Sequence, residues 1–238
     1  MTFTLFPILD WMADLYAQPI SRDRFKAYLE KLQGSSRGDL EVPIMAYNPM
    51  ARAHVAESLE ALRALDAEAI VRRAVGGLAL LPEVEVEVRV VINLADDVGG
   101  GWTNRYATDY AATFRTSALV KRRFCTPHFW TSETYSPALI EERAVAAAAR
   151  FAYGYAHGQP VSLRQHLEQE QYVAGVAGLE GGELPPAVAR HAEAHQDSED
   201  HALIFNFFYG DEASDSLGYR TFGMPAFAGF RYAAQLAG

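Results

Sequence analysis

Cysteine is nearly absent from this sequence, since Cys125 is the only one in 238 residues. A single thiol cannot form a disulfide within the chain, so nothing in it indicates an oxidising compartment. Long apolar runs are absent too, and none approaches the roughly 20 residues needed to cross a bilayer. The first residues lack the basic start of a signal peptide, and Asp10 and Asp14 interrupt their apolar stretch. We therefore predict a cytoplasmic protein with no membrane partner.

Basic residues are in deficit. Lys and Arg number 21 against 30 Asp and Glu, which gives a formal charge of −9. The densest basic run is Lys121-Arg122-Arg123, whereas neutralising the phosphates of a nucleic acid takes larger clusters of Lys and Arg. The glycine-rich segment at 99–101 has the spacing of neither nucleotide-binding glycine motif. The sequence therefore predicts no nucleic-acid partner and leaves any cofactor unidentified.

The clearest pattern in the chain is an alternation between residues 84 and 94. Half of all residues are apolar, which is enough for a folded core. The apolar positions of this segment are Val84, Val86, Val88, Val90, Ile92 and Leu94. Between them stand Glu85, Glu87, Arg89 and Asn93, so we predict a strand with one packed face and one wetter face. Such a strand favours an antiparallel or mixed sheet. Residues 107–115 and 124–131 are weaker strand candidates.

Helical patterns flank these strands. Residues 3–32 predict two helical pieces, and the Asn-Pro pair at 48–49 predicts the start of another helix. Ser162, followed three residues later by Gln165, predicts a capping box at the start of a later helix. Residues 202–209 are so apolar that periodicity leaves helix and strand open there. The glycines and aromatics at the C-terminus indicate packed irregular chain or short strands.

Helices, then strands, then helices predict the α+β class. No change in composition divides the chain, so we predict one α+β domain over residues 1–238. Its sheet is expected to be antiparallel or mixed and flanked by helices.

The first candidate site is the segment that follows the predicted strand. It contains Asp96, Asp97, Gly99, Gly100, Gly101, Trp102, Asn104 and Arg105. Paired carboxylates can act as a base or hold a cation, and the planar fork of Arg105 can hold an anion. Glycines let the backbone approach a ligand closely. If this is a ligand site, Asp97→Asn should leave folding nearly intact, because a loop carboxylate contributes little to the core. The alternative is a long solvated connection, in which the carboxylates only cap a turn.

Histidines supply three further candidates. His128 precedes a helix and can act as the acid–base partner of the carboxylates, or be a structural histidine. His166 and Glu170 lie four residues apart on an apolar helical stripe, which predicts an inward pair unless the stripe is rotated. His191 and His195 have the i, i+4 spacing of metal-chelating pairs. Their surroundings are very polar, so we predict that they are not an essential metal site.

The helix that begins near residue 137 is faintly similar to one in zinc peptidases of the gluzincin type. Those enzymes carry His-Glu-x-x-His on one helix and a further glutamate ligand on the next. The matching segment here runs from Ile140 to Val145, with Glu170 on the following helix. Glu141 and Val145 replace the two histidines, so the resemblance implies at most a degenerate relative without that zinc site.

Three functions remain open at this point. The first is an intracellular enzyme, a hydrolase or small-molecule-binding enzyme, with its site between residues 96–105 and His128. Asp96 or Asp97 would be the base or cation ligand, and Arg105 would hold an anion. The second is a non-catalytic binding or assembly protein whose aromatic C-terminus contacts a partner or a second copy of the chain. The third is the degenerate peptidase-like fold.

Overall fold

The computed structural model describes residues 1–80, 82–98 and 103–238. Within them, the chain divides into two compact units. Unit 1 comprises Met1–Arg105 and Ala118–Ala148, and unit 2 comprises Tyr106–Ser117 and Ala149–Gly238. The prediction of one domain is not tested by this division and stays a prediction. No helix in the described ranges is long and apolar enough to cross a membrane.

All strands in the described residues belong to unit 1, and all of them pair in parallel. They are β1 (Thr2–Leu5), β2 (Glu87–Val90), β3 (Asn93–Ala95), β4 (Phe124–Cys125) and β5 (His128–Trp130). One sheet has the order β1-β2-β4, and the other joins β3 to β5. The predicted antiparallel or mixed sheet is therefore wrong. The alternation from residue 85 to 89 arises because Glu85, Glu87 and Arg89 are exposed on one face, whereas every residue from 90 to 95 is buried, as in parallel sheets covered on both faces.

The two sheets continue one another along a single line of hydrogen bonds. The amide of Val91 donates to the carbonyl of Cys125 at 2.9 Å, and that of Asn93 donates to Pro127 at 2.9 Å. The register pairs Asn93 with His128 and Ala95 with Trp130. The carboxyl ends of β3 and β5 therefore lie side by side. The predicted inward facing of Val86, Val88, Val90 and Ile92 is confirmed, because all four are buried. The single strand predicted over residues 84–94 is wrong, because only β2 and β3 form there and Asn93 is buried rather than on a wetter face.

Helices surround these strands in unit 1. They are α1 (Leu9–Ala17), α2 (Arg22–Gln33), α3 (Ala53–Ala64), α4 (Ala67–Gly76), most of α6 (Ser117–Lys121) and the first part of α7 (Pro137–His157). α2 begins where the Ser21 side chain accepts a hydrogen bond from the Arg24 amide. The helix start predicted at residues 48–49 is wrong, because the Asn48 side chain accepts a bond from the Met50 amide in a turn and α3 begins later. The two helical pieces predicted over residues 3–32 are also wrong at their start, because residues 3–5 belong to β1.

Unit 2 is helical throughout its regular elements. They are α5 (Arg105–Phe114), the end of α7, α8 (Leu163–Ala177), α9 (Pro186–His195), α10 (His201–Tyr209), α11 (Asp211–Ser216) and α12 (Ala228–Ala237). The first residue of α5, Arg105, belongs to unit 1. The strand predicted at residues 107–115 is wrong, since Tyr110 and Phe114 are buried four residues apart on one face of α5. The capping box of Ser162 and Gln165 is confirmed.

The C-terminal helices of unit 2 enclose an aromatic core. α10 is buried along nearly its whole length, and its aromatic residues pack with those of α5 and α12. Gly229 of α12 lies so close to α10 that an added Cβ would sit 2.7 Å from the Phe208 ring. Of the packed irregular chain or short strands predicted at the C-terminus, irregular chain is present at residues 217–227, whereas Phe230 and Tyr232 lie in α12. The very apolar segment at residues 202–209 is therefore a buried helix, because its side chains pack against other helices.

Candidate functional site

Polar side chains gather where β3 and β5 end. Asp96 and Asp97 follow β3, and Thr131 follows β5. Since the carboxyl ends of parallel strands share one edge of a sheet, residues far apart in the chain meet there. The Thr131 hydroxyl lies 3.1 Å from an oxygen of Asp96 and 3.1 Å from an oxygen of Asp97. We call Asp96, Asp97, Arg105, residues 131–133 and His54, which is described below, the strand-end site.

Asp97 is held on both of its oxygens. Oδ1 accepts bonds from the Ser132 amide at 3.0 Å and from the Thr131 hydroxyl. Oδ2 lies 2.7 Å from the Ser132 hydroxyl and 3.2 Å from Arg105 Nη1. Its side chain is 4% exposed. Asp97 therefore ties the end of β3 to the end of β5, and its buried carboxylate stabilises the loops at this edge.

Arg105 lies between two carboxylates. Its Nη2 donates to Glu133 at 2.7 Å, in addition to the bond with Asp97. Arg143 of α7 makes a second, bidentate pair with Glu133 at 2.6 Å for both bonds, and also donates to the backbone carbonyl of His128. Burial disfavours the charged form of Arg105, but the two carboxylates outweigh it and raise the pKa of its guanidinium. Arg105 therefore neutralises carboxylates of its own chain at the position where an anion holder was predicted.

Asp96 is paired with His54, a histidine that no motif in the sequence connects to it. Nε2 of His54, in the first turn of α3, lies 2.8 Å from Oδ1 of Asp96. The Asp96 side chain is 5% exposed, whereas the imidazole of His54 is 34% exposed. A carboxylate at Nε2 favours the tautomer with its proton on that nitrogen, which leaves the lone pair on Nδ1. An accessible imidazole is thus oriented by a buried carboxylate.

The other predicted residues near this edge have different surroundings. His128 lies in β5, and its Nδ1 is 2.8 Å from the carbonyl of Thr126. The imidazole that the structure places on Asp96 is therefore that of His54. Asn104 is exposed just before α5. The predicted ligand-binding residues Gly99, Gly100, Gly101 and Trp102 lie outside the described residues.

His166 and Glu170 are both buried in unit 2, but each has its own partner. Glu170 forms a bidentate pair with Arg150, at 2.8 Å and 2.6 Å. Nδ1 of His166 is 2.8 Å from the Ser162 carbonyl, and Nε2 is 3.4 Å from the Tyr110 hydroxyl. Burial lowers the pKa of His166 and favours the neutral imidazole. The sequence indicated that both residues face inward, but not that Arg150 would be the partner of Glu170.

His191 and His195 are neighbours on one face of α9, as their spacing of four residues predicts. The ring centroids of His191 and His195 are 4.5 Å apart. Burial, and to a smaller extent His195, lower the pKa of His191. Across residues 1–80, 82–98 and 103–238, no group of three or more His, Cys, Asp or Glu side chains is placed to hold a metal ion. The pair therefore has no third ligand of these types in the described part of the chain.

Comparisons with known proteins add no relative. No protein-family model, curated protein or solved structure matches the chain. The functional conclusion therefore rests on the geometry of the strand-end site.

Proposed function

We propose that the strand-end site is the active site of a small-molecule hydrolase in which His54 is the general acid and base and Asp96 orients it. The observation that carries the proposal is the 2.8 Å contact between a buried carboxylate and a partly exposed imidazole. The contact with buried Asp96 orients the ring, and the partly exposed imidazole is open to a ligand, for which we assign Nδ1 because Nε2 is engaged by Asp96. In open sheets with parallel strands, ligands bind beside the carboxyl ends of the strands, where this pair lies.

The chemistry of such a pair is proton transfer. Nδ1 of His54 accepts a proton from water as the water oxygen attacks a carbonyl or phosphoryl centre. The imidazolium that forms is stabilised by Asp96 and returns the proton to the leaving group as its bond breaks. Asp97 and Arg105 have a supporting role in this proposal, because their hydrogen bonds hold the loops that carry the site.

Substrate turnover tests the proposal. The purified protein is assayed against panels of ester, phosphoester and amide substrates, alongside His54→Gln, Asp96→Asn and the exposed control His157→Gln. We expect His54→Gln to lower kcat/KM by about 10²- to 10⁴-fold, the usual contribution of general acid–base catalysis. Asp96→Asn should also lower it, and the control should not. Turnover that survives in His54→Gln would place the catalytic group elsewhere.

The principal alternative is a binding protein without catalysis. In that case a metabolite-library thermal-shift screen identifies a ligand, the ligand is recovered unchanged, and binding depends on His54 or Asp96. Equal stabilisation of the parent, His54→Gln and Asp96→Asn by that ligand would remove the strand-end site from both interpretations.

A further inference from the structure

Unit 1 contains two buried hydrogen-bond donors without a partner in the described residues, and they belong to neighbouring side chains. They are the hydroxyl of Tyr16, on α1, and Nε of Arg24, in the first turn of α2. Tyr16 is 9% exposed and Arg24 is 3% exposed. Buried donors are almost always satisfied, because leaving one unpaired costs much of its desolvation free energy. These two atoms therefore indicate an acceptor that the described side chains do not supply.

Arg24 is an unusual buried cation. Its Nη1 and Nη2 donate to the backbone carbonyls of Gln18 at 3.1 Å and Ala51 at 3.3 Å. Its guanidinium carbon lies 4.8 Å from the centre of the Tyr16 ring. In the described residues no carboxylate forms an ion pair with it, although buried charges are normally paired. Burial lowers the pKa of this guanidinium, which is the direction expected for a buried cation without a carboxylate partner.

The Tyr16 hydroxyl lies in the field of this cation. Burial raises the pKa of Tyr16, so the hydroxyl is a neutral donor at physiological pH. Arg24 exerts the strongest charge effect on that hydroxyl and favours negative charge there, ahead of the opposing effects of Tyr28 and Asp96. Burial disfavours negative charge at this position, so an anionic acceptor there depends on Arg24 for its compensating charge.

We propose that the Tyr16 hydroxyl and Arg24 form an oxyanion subsite of the strand-end site, which takes a carboxylate or phosphoryl group of a small molecule. This inference rests on the proposed function, because it assigns an anionic substrate class to the same site. A neutral phenol backed by a cation donates a strong hydrogen bond to an oxyanion. Ala51 leads into α3, so the Arg24 bond also connects the subsite to the helix that carries His54.

Tyr28 supplies a matched control for Tyr16. It is also a buried tyrosine of unit 1, but its hydroxyl donates to the carbonyl of Ile44 at 2.9 Å. Tyr28→Phe removes a hydrogen bond that is made, whereas Tyr16→Phe removes a hydroxyl that lacks a partner. Without added anion, we expect Tyr28→Phe to lower the Tm by a few degrees and Tyr16→Phe to leave it unchanged or raise it.

The experiment is thermal unfolding in sodium acetate and in inorganic phosphate, with sodium chloride at the same ionic strength as the reference. We expect acetate, phosphate or both to raise the Tm of the parent in a concentration-dependent way. Tyr28→Phe should keep this increase, and Tyr16→Phe and Arg24→Gln should lose most of it. His54→Gln should keep it as well, so the result does not depend on catalysis.

Two results would overturn the subsite. One is an anion effect that is absent from the parent or equal in the parent and Tyr16→Phe. The other is a loss of Tm in Tyr16→Phe as large as that in Tyr28→Phe, which would show that water already satisfies the hydroxyl. Neither result affects the assignment of His54, which substrate turnover tests separately.

Discussion

Both units keep charged side chains away from solvent, but they do so in different surroundings. At the strand-end site of unit 1, buried Asp96 holds the partly exposed imidazole of His54. In unit 2, Glu170 holds Arg150 beside an aromatic core, and the Tyr209 hydroxyl donates to Asp109 at 2.8 Å. The comparison teaches that a buried charged side chain by itself indicates only a structural role. A buried charged side chain that orients an accessible titratable group indicates a catalytic or binding role.

The charge pair of unit 2 is internally complete. Gln169 donates to Glu170 Oε1 at 3.0 Å and lies 3.3 Å from the carbonyl of Thr113, so the carboxylate accepts bonds from two side chains. Burial disfavours the charge on Arg150, but Glu170 outweighs it and raises the pKa of the guanidinium. This network therefore has the properties of a structural ion pair, and its removal should affect folding first.

The largest expected effect is the loss of this pair. Glu170→Ala leaves the Arg150 guanidinium without its partner in a buried position, and breaking a buried ion pair costs about 3–5 kcal/mol. Since the Arg150 side chain is 20% exposed, we expect the lower end of that range for the free energy of unfolding. Urea denaturation measures it. Glu60→Ala, which breaks an exposed pair with Arg63, is the control and should have no resolvable effect. Equal effects of the two substitutions would contradict the comparison.

Asp97→Asn should have the next largest effect. The carboxylate accepts bonds from Thr131, Ser132 and Arg105 while nearly buried, so its loss should cost about 1–3 kcal/mol in the free energy of unfolding. The hydrogen bonds of Asp97 thus predict a larger loss of stability than the sequence does, from which a loop carboxylate is expected to contribute little. The same denaturation experiment decides between the two expectations. An unchanged midpoint would support the sequence-based expectation and remove Asp97 from the support of the site.

Acid should destabilise unit 2 by a smaller amount. Burial lowers the pKa of His166 and of His201 below the usual value in the folded protein. The unfolded chain therefore binds more protons than the folded one as the pH falls below about 6.5, and stability decreases through that range. The Tm measured from pH 7.5 to pH 5 should decline. His166→Gln should decline less steeply, and an identical slope would exclude His166 as a source.

The smallest expected effect concerns His191 and His195. We expect protein purified without an affinity tag to contain no stoichiometric zinc, and the His191→Ala, His195→Ala double variant to have the same metal content. Elemental analysis measures both samples. One equivalent of tightly held zinc that disappears in the double variant would make this pair a metal site and shift the functional assignment to unit 2.

Local signals in the sequence predicted local structure. Ser162 and Gln165 are three residues apart, so their capping box can be recognised from the chain itself. The inward facing of Val88 follows from alternation along one strand. The direction of the strands could not be predicted in this way. The partners of β2 are β1, at the start of the chain, and β4, and nothing in the alternation identifies them.

Half of the central pair of the site could be predicted. The sequence indicates Asp96 because two carboxylates and an arginine lie close together after a predicted strand. His54 stands 42 residues earlier in the chain, with no motif that connects it to Asp96. It reaches the carboxylate because α3 begins beside the end of β3, which only the fold reveals. The predicted roles of His128 and Arg105 relied on closeness in sequence, whereas parallel pairing brings distant residues together.

The tautomer of His54 tests the central claim most directly. Long-range ¹H–¹⁵N NMR on selectively labelled protein identifies which ring nitrogen carries the proton in the neutral imidazole. The geometry predicts a proton on Nε2 and a bare Nδ1, because Nε2 donates to Asp96. In Asp96→Asn the amide can donate to Nε2, so the proton should move to Nδ1. A proton on Nδ1 in the parent, or a tautomer that Asp96→Asn does not change, would contradict the orientation of His54 by Asp96.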